Sequence, residues 1–372
     1  MDMTKQNKAF KFRLLPNKKQ AVLLAKTFGC VRFVYNKMLS ERKETYEKFK
    51  DDKETLKKQK FPTPAKYKGD FPFLKEVDSL ALANAQLHLQ NAYKNFFEGN
   101  AEFPKFKNRK ARQSYTTNLV NGNIELKDGH IKLPKLKLVK IKQHREIPEN
   151  YKLKSCTISK TNSGKYYVSV LTEYEKEIKL KLIENVVGLD FAMSELYVSS
   201  ENEKANYPRY YRVMSEKLAK AQRILSKRKK GSARWNKQHT IVAKLHEKVA
   251  NQRMNFLHHK SKELAFSFDA VVIEDLNMKG MSQAFHFGKS VHDNGWGIFT
   301  TFLAYKLKEQ GKQLVKIDRW FPSTKKCSCC GEEKPMALSE RTYHCSCGYV
   351  ADRDYNSAIN IKNEGLRLLA LV

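Results

Sequence analysis

Two carboxylates stand where short apolar runs stop, and a third opens a segment of its own. Asp190 closes Val186-Val187-Gly188-Leu189, Glu274 closes Val271-Val272-Ile273, and Asp354 opens Asp354-Tyr355-Asn356-Ser357-Ala358-Ile359. A β-branched run ending abruptly in an acid reads as a buried strand with its carboxylate at the open edge. Carboxylate oxygens suit Mg²⁺ or Mn²⁺, and two such ions can clamp the attacking and leaving oxygens of a phosphodiester. Taken singly, each acid reads more simply as a surface charge or a helix cap. The metal reading comes from the three together.

Five of the seven cysteines fall between residues 327 and 347. Cys327-x2-Cys330-Gly331 and Cys345-x-Cys347-Gly348 are fourteen residues apart. Paired cysteines on two tight turns, each followed by Gly, make a Cys₄ Zn²⁺ site. The glycine lets backbone amides turn toward the thiolates, and four ligands at about 2.3 Å satisfy tetrahedral zinc. The second pair has one intervening residue where two are usual, and Cys329 is a spare thiol that offers an alternative ligand. No His or carboxylate is arranged to leave a fourth position open, so the site reads as closed and structural. Cys30 and Cys156 stand alone. Clustered rather than distributed cysteines point to a reducing compartment.

The charge balance indicates the partner. Lys plus Arg total 71 against 39 Asp plus Glu, a net charge of +32. That excess excludes an ordinary enzyme of small molecules and points to a polyanion, nucleic acid above all. Seventeen Tyr and 21 Phe could in part stack on unpaired bases, although some must form cores. With 372 residues and 41% hydrophobic composition, the chain can fill real cores, unlike a small, generic basic protein. Met1 to Phe10 lacks the apolar stretch of a signal peptide, and no run approaches a membrane span. In a prokaryotic host the expected place is the cytoplasm, with the nucleoid, and no membrane.

These groups must be positioned by secondary elements. The alternation Ala9–Leu14 predicts a strand ended by Pro16. A basic helical pattern runs from Asn17 to about Lys60, and a second helix from Ser79, as N-cap, to Phe97, with Gly99 as its stop. Asn84 on that helix belongs either to a solvated face or to a base-edge contact. Short strands fill 103–174, with turns at Asn121-Gly122, Asp128-Gly129 and Asn162-Ser163-Gly164. There Lys132, Lys135, Lys137, Lys140 and Lys142 interleave with apolar residues, as in a small basic β-barrel-type module that contacts phosphates. From Asn185 onward strands and helices alternate: strands at 186–190, 196–198, 270–274 and 314–317, helices near 208–229, 234–266 and 296–310, and a final helix. Such alternation implies a mixed sheet with covered faces. Lys237, Lys244, Lys248 and Arg253 form a basic face on the helix at 234–266. The run Lys227-Arg228-Lys229-Lys230-Gly231 reads as a nuclear localisation signal, a solvated loop or a phosphate clamp.

The motifs resemble those of the TnpB family of transposon-encoded RNA-guided DNA nucleases, over essentially the whole chain. They include Leu14-Leu15-Pro16, the run from Thr27 to Asn36, Phe103-Pro104-Lys105-Phe106-Lys107 and Val187-Gly188-Leu189-Asp190-Phe191. They continue with the run from Ile273 to Met281, Asp293-Asn294-Gly295-Trp296-Gly297, Phe321-Pro322-Ser323, the cysteine pairs and Asp352-Arg353-Asp354-Tyr355-Asn356. The resemblance implies a multidomain α+β protein: an RNase H-like, RuvC-like α/β nuclease domain with an inserted zinc ribbon, and an N-terminal β-barrel wedge domain carrying a helical recognition insertion. The expected boundaries are 1–16 and 103–184 for the wedge, 17–102 for the helical domain, 185–324 and 350–372 for the nuclease domain, and 325–349 for the ribbon.

The resemblance also implies Asp190, Glu274 and Asp354 as the catalytic triad holding Mg²⁺ or Mn²⁺. Asp352, two residues from Asp354, is the alternative third acid or a helix cap. Asp318, at another strand end, could also approach the metals. Ala192 stands where family members commonly have Gly. The expected partners are a guide RNA from the protein's own element, one protein per guide, and double-stranded target DNA. The expected reaction is cleavage beside a short motif that the protein reads. The nucleic-acid contacts are expected at Asn84, Lys137, Arg228, Lys229, Lys230, Lys237, Lys244 and Arg253. Two rivals are a nuclease-inactive guided repressor and a DDE-type transposase, whose usual acid order of Asp, Asp, Glu differs from the Asp, Glu, Asp here.

Overall fold

The computed structural model describes residues 3–370 except 111, 285–287, 289–292 and 338. Two compact units divide the chain, Met1–Lys176 and Glu177–Val372.

The first unit begins with β1 (Met3–Leu15), whose Phe10, Phe12 and Leu14 are buried on alternate positions. Asn17 then opens α1 (Lys18–Phe49) with a reciprocal capping box to Gln20. The helical pattern expected to reach Lys60 breaks at Lys50–Asp52. There Asp52 caps a separate short helix, α2 (Lys53–Lys58), by accepting from the Thr55 amide at 3.0 Å. After α3 (Tyr67–Asp70) and a 3₁₀ turn at Pro72–Glu76 comes α4 (Ser79–Phe97). Its N-cap is Asp78, which accepts from the Leu80 amide, rather than the expected Ser79. Gly99, with φ +71°, follows the end of α4, where the stop was expected.

Six further strands complete this unit: β2 (Gln113–Asn118), β3 (Glu125–Lys127), β4 (His130–Leu133), β5 (Lys137–Lys142), β6 (Lys152–Lys160) and β7 (Tyr166–Glu177). They form one seven-stranded sheet in the order β2-β6-β7-β1-β5-β4-β3. The β3–β4 hairpin turns on Asp128 and Gly129, both at positive φ, as a primed turn requires. Strand β1 therefore enters a sheet built mostly from residues beyond the helices, and one apolar core joins both.

The second unit holds a four-stranded sheet in the order β11-β10-β8-β9. Strand β8 (Val186–Ala192) pairs antiparallel with β9 (Leu196–Ser199). Two long helices follow, α5 (Tyr210–Ser226) and α6 (Ala233–Ser267). Strand β10 (Ala270–Glu274) then pairs parallel with β8. After α7 (Met278–Ala284) and α8 (Trp296–Lys308), β11 (Gln313–Ile317) pairs parallel with β10. A small hairpin, β12 (Thr342–His344) with β13 (Val350–Asp352), precedes the last helix, α9 (Arg353–Leu369).

Side-chain parity divides the two faces of this sheet. Val187, Leu189, Val271 and Ile273 share a core with Leu257 of α6 and Phe299, Leu303 and Leu307 of α8. Val186, Ala270 and Val272 pack with Ile361 of α9 on the other face. Helix α9 lies against the strands because glycines remove the obstructing methylenes. A Cβ at Gly188 would stand 2.2 Å from the Ala358 carbonyl oxygen, and one at Gly365 would stand 2.4 Å from Cγ2 of Val272. Among the described residues, no helix is long and apolar enough to cross a membrane.

Candidate active site

The acids come together through strand register. Strands β8 and β10 run parallel with Leu189 opposite Ile273, so Asp190 and Glu274 follow one residue later on both strands. Even-numbered positions on both strands face α9, which brings both carboxylates under its N-terminal end. Asp354 is in the first turn of α9, where a negative charge favours the helix dipole. All three acids line one cavity of about 640 Å³ at the carboxyl ends of the parallel strands. That edge is where open α/β sheets bind ligands.

The electrostatics are adverse without a cation. Asp190 is buried, and burial pushes its carboxyl well above the ordinary range, with the charges of Glu274 and Asp354 adding to the shift. Ser357 and Arg353 oppose it. Burial also raises Glu274, against a hydrogen bond from the Ser323 hydroxyl. Arg353 is turned toward Asp354, with Nε and Nη2 reaching Oδ1 at 2.9 and 2.8 Å. Three converging carboxylates, two of them hard to ionise because they are buried, fit an oxygen-ligated divalent cation.

The two alternative acids lie elsewhere. Asp352 is exposed and caps α9, accepting from the amides of Asp354 and Tyr355 at 2.9 and 3.2 Å. Asp318 is exposed and accepts from the Trp320 amide at 2.7 Å, capping a turn.

Cys327, Cys330, Cys345 and Cys347 bring their sulfurs within 4.8 Å of one another, and Cys329 stays out of the group. The Cys327–Cys347 and Cys330–Cys345 separations are 3.9 and 3.5 Å. Tetrahedral ligands at about 2.3 Å from zinc would stand about 3.8 Å apart, so the donor set fits that ion. Burial raises the Cys327 thiol, but the backbone amides of Cys330 and Cys329, together with the neighbouring thiols of Cys345 and Cys330, bring it down to about 7. Backbone amides also oppose a rise at Cys330 and Cys347, but the neighbouring sulfurs and burial leave both raised, Cys347 to about 12. The turn amides thus favour a thiolate at the first ligand.

Two asparagines of α9, Asn356 within a motif named above and Asn360 just beyond it, connect the two sites. Asn360 Nδ2 donates to the carbonyls of Ser323 (2.8 Å) and Lys326 (2.6 Å). Asn356 Nδ2 donates to the Lys326 carbonyl at 2.8 Å, and its Oδ1 accepts from the Ser328 amide at 2.9 Å. Both asparagines are buried on α9. The helix that carries Asp354 thereby holds the segment that leads from Ser323, on Glu274, to Cys327. Across the cavity, Asn294 Nδ2 donates to the Ala192 carbonyl at 3.0 Å. Asp293 Oδ1 accepts from the Tyr207 hydroxyl at 3.1 Å and the Tyr211 amide at 3.2 Å. Arg209, Arg212 and Arg341 also line the cavity, and no motif in the sequence marks them.

The proposed nucleic-acid contacts divide. Lys137, Lys229, Lys230, Lys237 and Lys244 are exposed. Arg228 is half-buried and donates to the Arg234 carbonyl at 2.7 Å. Two expectations need correction. Asn84 is buried and its amide donates to the Leu80 carbonyl at 2.9 Å, because this face of α4 packs against the core instead of solvent. Arg253 is half-buried and pairs with the buried Asp293 at 3.3 Å, so it neutralises an internal acid.

Comparison with known proteins places this geometry in a lineage. A Streptomyces pristinaespiralis protein named "Putative RNA-guided DNA endonuclease" is 34% identical over 98% of this chain and 90% of its own length. "Putative RNA-guided DNA endonuclease InsQ" of Escherichia coli K12 is 30% identical over 98% of this chain and 94% of its own. The chain belongs to the TnpB family. Residues 169–284 of this TnpB-family chain match a family described as "Probable transposase", and 296–361 match the Cas12f1-like TNB domain. Residues 3–51 match a family described as a helix-turn-helix domain. Here that segment is strand β1 followed by one continuous 32-residue helix. Among solved structures, a chain of a Cas12f1–sgRNA–target DNA complex superposes with a TM-score of 0.57 at 13% identity. The match covers 96% of this chain and 99% of that one, and it supports a shared fold.

Proposed function

We propose that this protein is an RNA-guided DNA endonuclease of a transposable element. The reading rests above all on the register that aligns Asp190 with Glu274 beneath Asp354, in a chain akin to proteins named for that activity. In this reading the second unit is a RuvC-like, RNase H-type domain with a zinc ribbon before its last helix. The first unit is a β-barrel wedge with a helical insertion. A guide RNA from the same element, one protein per guide, supplies target sequence by base pairing, and the protein reads a short adjacent duplex motif and backbone shape.

Asp190, Glu274 and Asp354 would hold Mg²⁺ or Mn²⁺. Such ions supply Lewis-acid polarisation of a phosphodiester and an acidified water. The chain's own groups do the rest. Ser323 orients the Glu274 carboxylate by donating to it. Arg353 engages Oδ1 of Asp354 through Nε and Nη2. Arg209, Arg212 and Arg341 present guanidinium donors suited to phosphate oxygens on the strand being cut. Lys137, Lys229, Lys230, Lys237 and Lys244 give exposed positive charge for RNA and heteroduplex backbones. Cys327, Cys330, Cys345 and Cys347 would bind one structural Zn²⁺.

The test is to purify the protein with and without its native flanking transcript and to assay duplex DNA. Cutting that moves when the guide segment is rewritten is expected. Equal, sequence-independent cutting by RNA-free protein would overturn the reading.

A further inference from the structure

The helical part of the first unit contains a cavity that the nuclease chemistry does not use. It measures about 710 Å³, within the roughly 300–1,000 Å³ usual for ligand sites. Its walls come from the last turns of α1, the short α2, Phe61, the end of α4 and Phe103. We propose that it takes an unstacked nucleobase of single-stranded nucleic acid.

The cavity lies beyond the core of these helices. The last buried residue of α1 is Leu39 and that of α4 is Leu89. The helices nevertheless carry aromatic rings past those points, and the loop after α4 adds another: Tyr46 is 54% exposed, Phe97 78% and Phe103 40%. Tyr93 and Phe97 lie face to face at 6.2 Å with 22° between their planes.

The polar groups limit what could fill it. The Arg42 guanidinium stands 5.1 Å from the Phe61 ring and 5.2 Å from that of Tyr93, and its Nε is buried with no hydrogen-bond acceptor. Lys43 Nζ stands 5.1 Å from the Phe103 ring. Glu47, the acid in the lining, pairs with Lys50 at 3.2 Å, so the lining is net positive. A ligand that completes the site has a flat π face for the rings, an acceptor for Arg42 and a negative charge for Lys43. A nucleotide carries all three, on its base edge, ring and phosphate. An apolar peptide side chain carries none of the polar ones.

The test is a binding cycle on the full chain, using labelled, unstructured oligouridine and oligothymidine and matching strands that keep the backbone but lack bases. Wild type is expected to prefer strands with bases. Phe97→Ala, a change at an exposed ring, should weaken binding of base-bearing strands about 5- to 100-fold, the usual range for losing one stacking partner. Affinity for the abasic strands should not change, and Phe97→Trp should retain the preference. Comparing the RNA and DNA arms identifies which strand the pocket serves. Three results would overturn the proposal: no base preference in wild type, no loss in Phe97→Ala, or an equal loss on abasic strands. No cleavage is measured, so failure of the nuclease reading would leave this test intact.

Discussion

The carboxylate cavity and the cysteine cluster lie in the same unit, but they are made in opposite ways. The cysteines are local. Two short turns bring four sulfurs within 4.8 Å. The acids are assembled from far apart in the chain by parallel register and by a helix held close through Gly188 and Gly365. Burial works against the ionisation of Asp190 and Glu274. A structural metal site gains from donors whose positions are set before the ion arrives. A hydrolytic site needs carboxylates whose charge is stabilised mainly by the ions and the phosphate, which keeps the ions exchangeable and exposed to substrate.

The largest effect should come from breaking the acidic half. Asp190→Ala, Glu274→Ala and Asp354→Ala should each reduce cleavage by about a thousandfold or more, a loss of several kcal/mol of transition-state stabilisation. Guide and target binding should stay near wild type, since many Lys and Arg contacts and base pairing carry affinity. Asp352→Ala should retain substantial cutting, because Asp352 caps α9 instead of lining the cavity. Single-turnover cleavage beside a gel-shift measurement separates these outcomes. A dead Asp352→Ala with an active Asp354→Ala would reverse the assignment.

The cysteine half predicts a loss of stability. Cys330→Ser should lower zinc content and thermal stability, while Cys329→Ser should change neither. Elemental analysis and a melting curve on the two proteins check this. Finding no zinc in folded wild type, or the same behaviour in both variants, would dissolve the contrast between the sites.

A smaller effect should appear where the two halves meet. Ser323→Ala removes the hydroxyl from Glu274 while Asn360 still holds the backbone. Hydrogen bonds to charged groups contribute about 1.5–3 kcal/mol, so a roughly 10- to 100-fold drop in cleavage is expected. More Mn²⁺ should be needed for half-maximal binding in the absence of DNA, and Ser323→Thr should recover most of the loss. An unchanged metal requirement would mean that the serine only packs.

Much of this contrast was legible in the sequence, and the reasons differ by residue. The cysteines were readable because their geometry is set by spacing. Asp190 and Glu274 were readable because a buried parallel strand is a continuous β-branched run, and both acids end one. Ser323 and Asn356 stand inside recognised motifs and Asn360 lies just beyond them; none shows a role in the sequence, since their partners are distant along the chain. Asn84 was misread for a related reason. Its helix is amphipathic, but only tertiary packing decides that this amide faces the core. The break after Phe49 was missed because Asp52 caps a new helix within a run whose charges look continuous.

The smallest expected effect concerns two aspartates of the same sheet. Asp190, at the carboxyl end of β8, has its carboxyl raised by burial and by other acids. Asp269, just before β10, has its carboxyl lowered to about 2, chiefly by the Lys181 ammonium at 2.6 Å and by the Asn185 amide. The signs follow from linkage. For Asp269 the folded value lies below the unfolded one of about 3.9. Its contribution to stability is therefore complete above about pH 4 and lost as pH falls toward 2. For Asp190 the order is reversed, so in metal-free protein its ionisation costs stability as pH rises above about 4. Asp269→Asn should thus lower the melting temperature at pH 7 by a few degrees, and the difference from wild type should shrink as pH falls from 4 to 2. Asp190→Asn, measured with chelator present, should raise the melting temperature at pH 7 and converge on wild type in acid. If both variants shift in the same direction at pH 7, the two ends of the sheet do not differ electrostatically as the geometry requires.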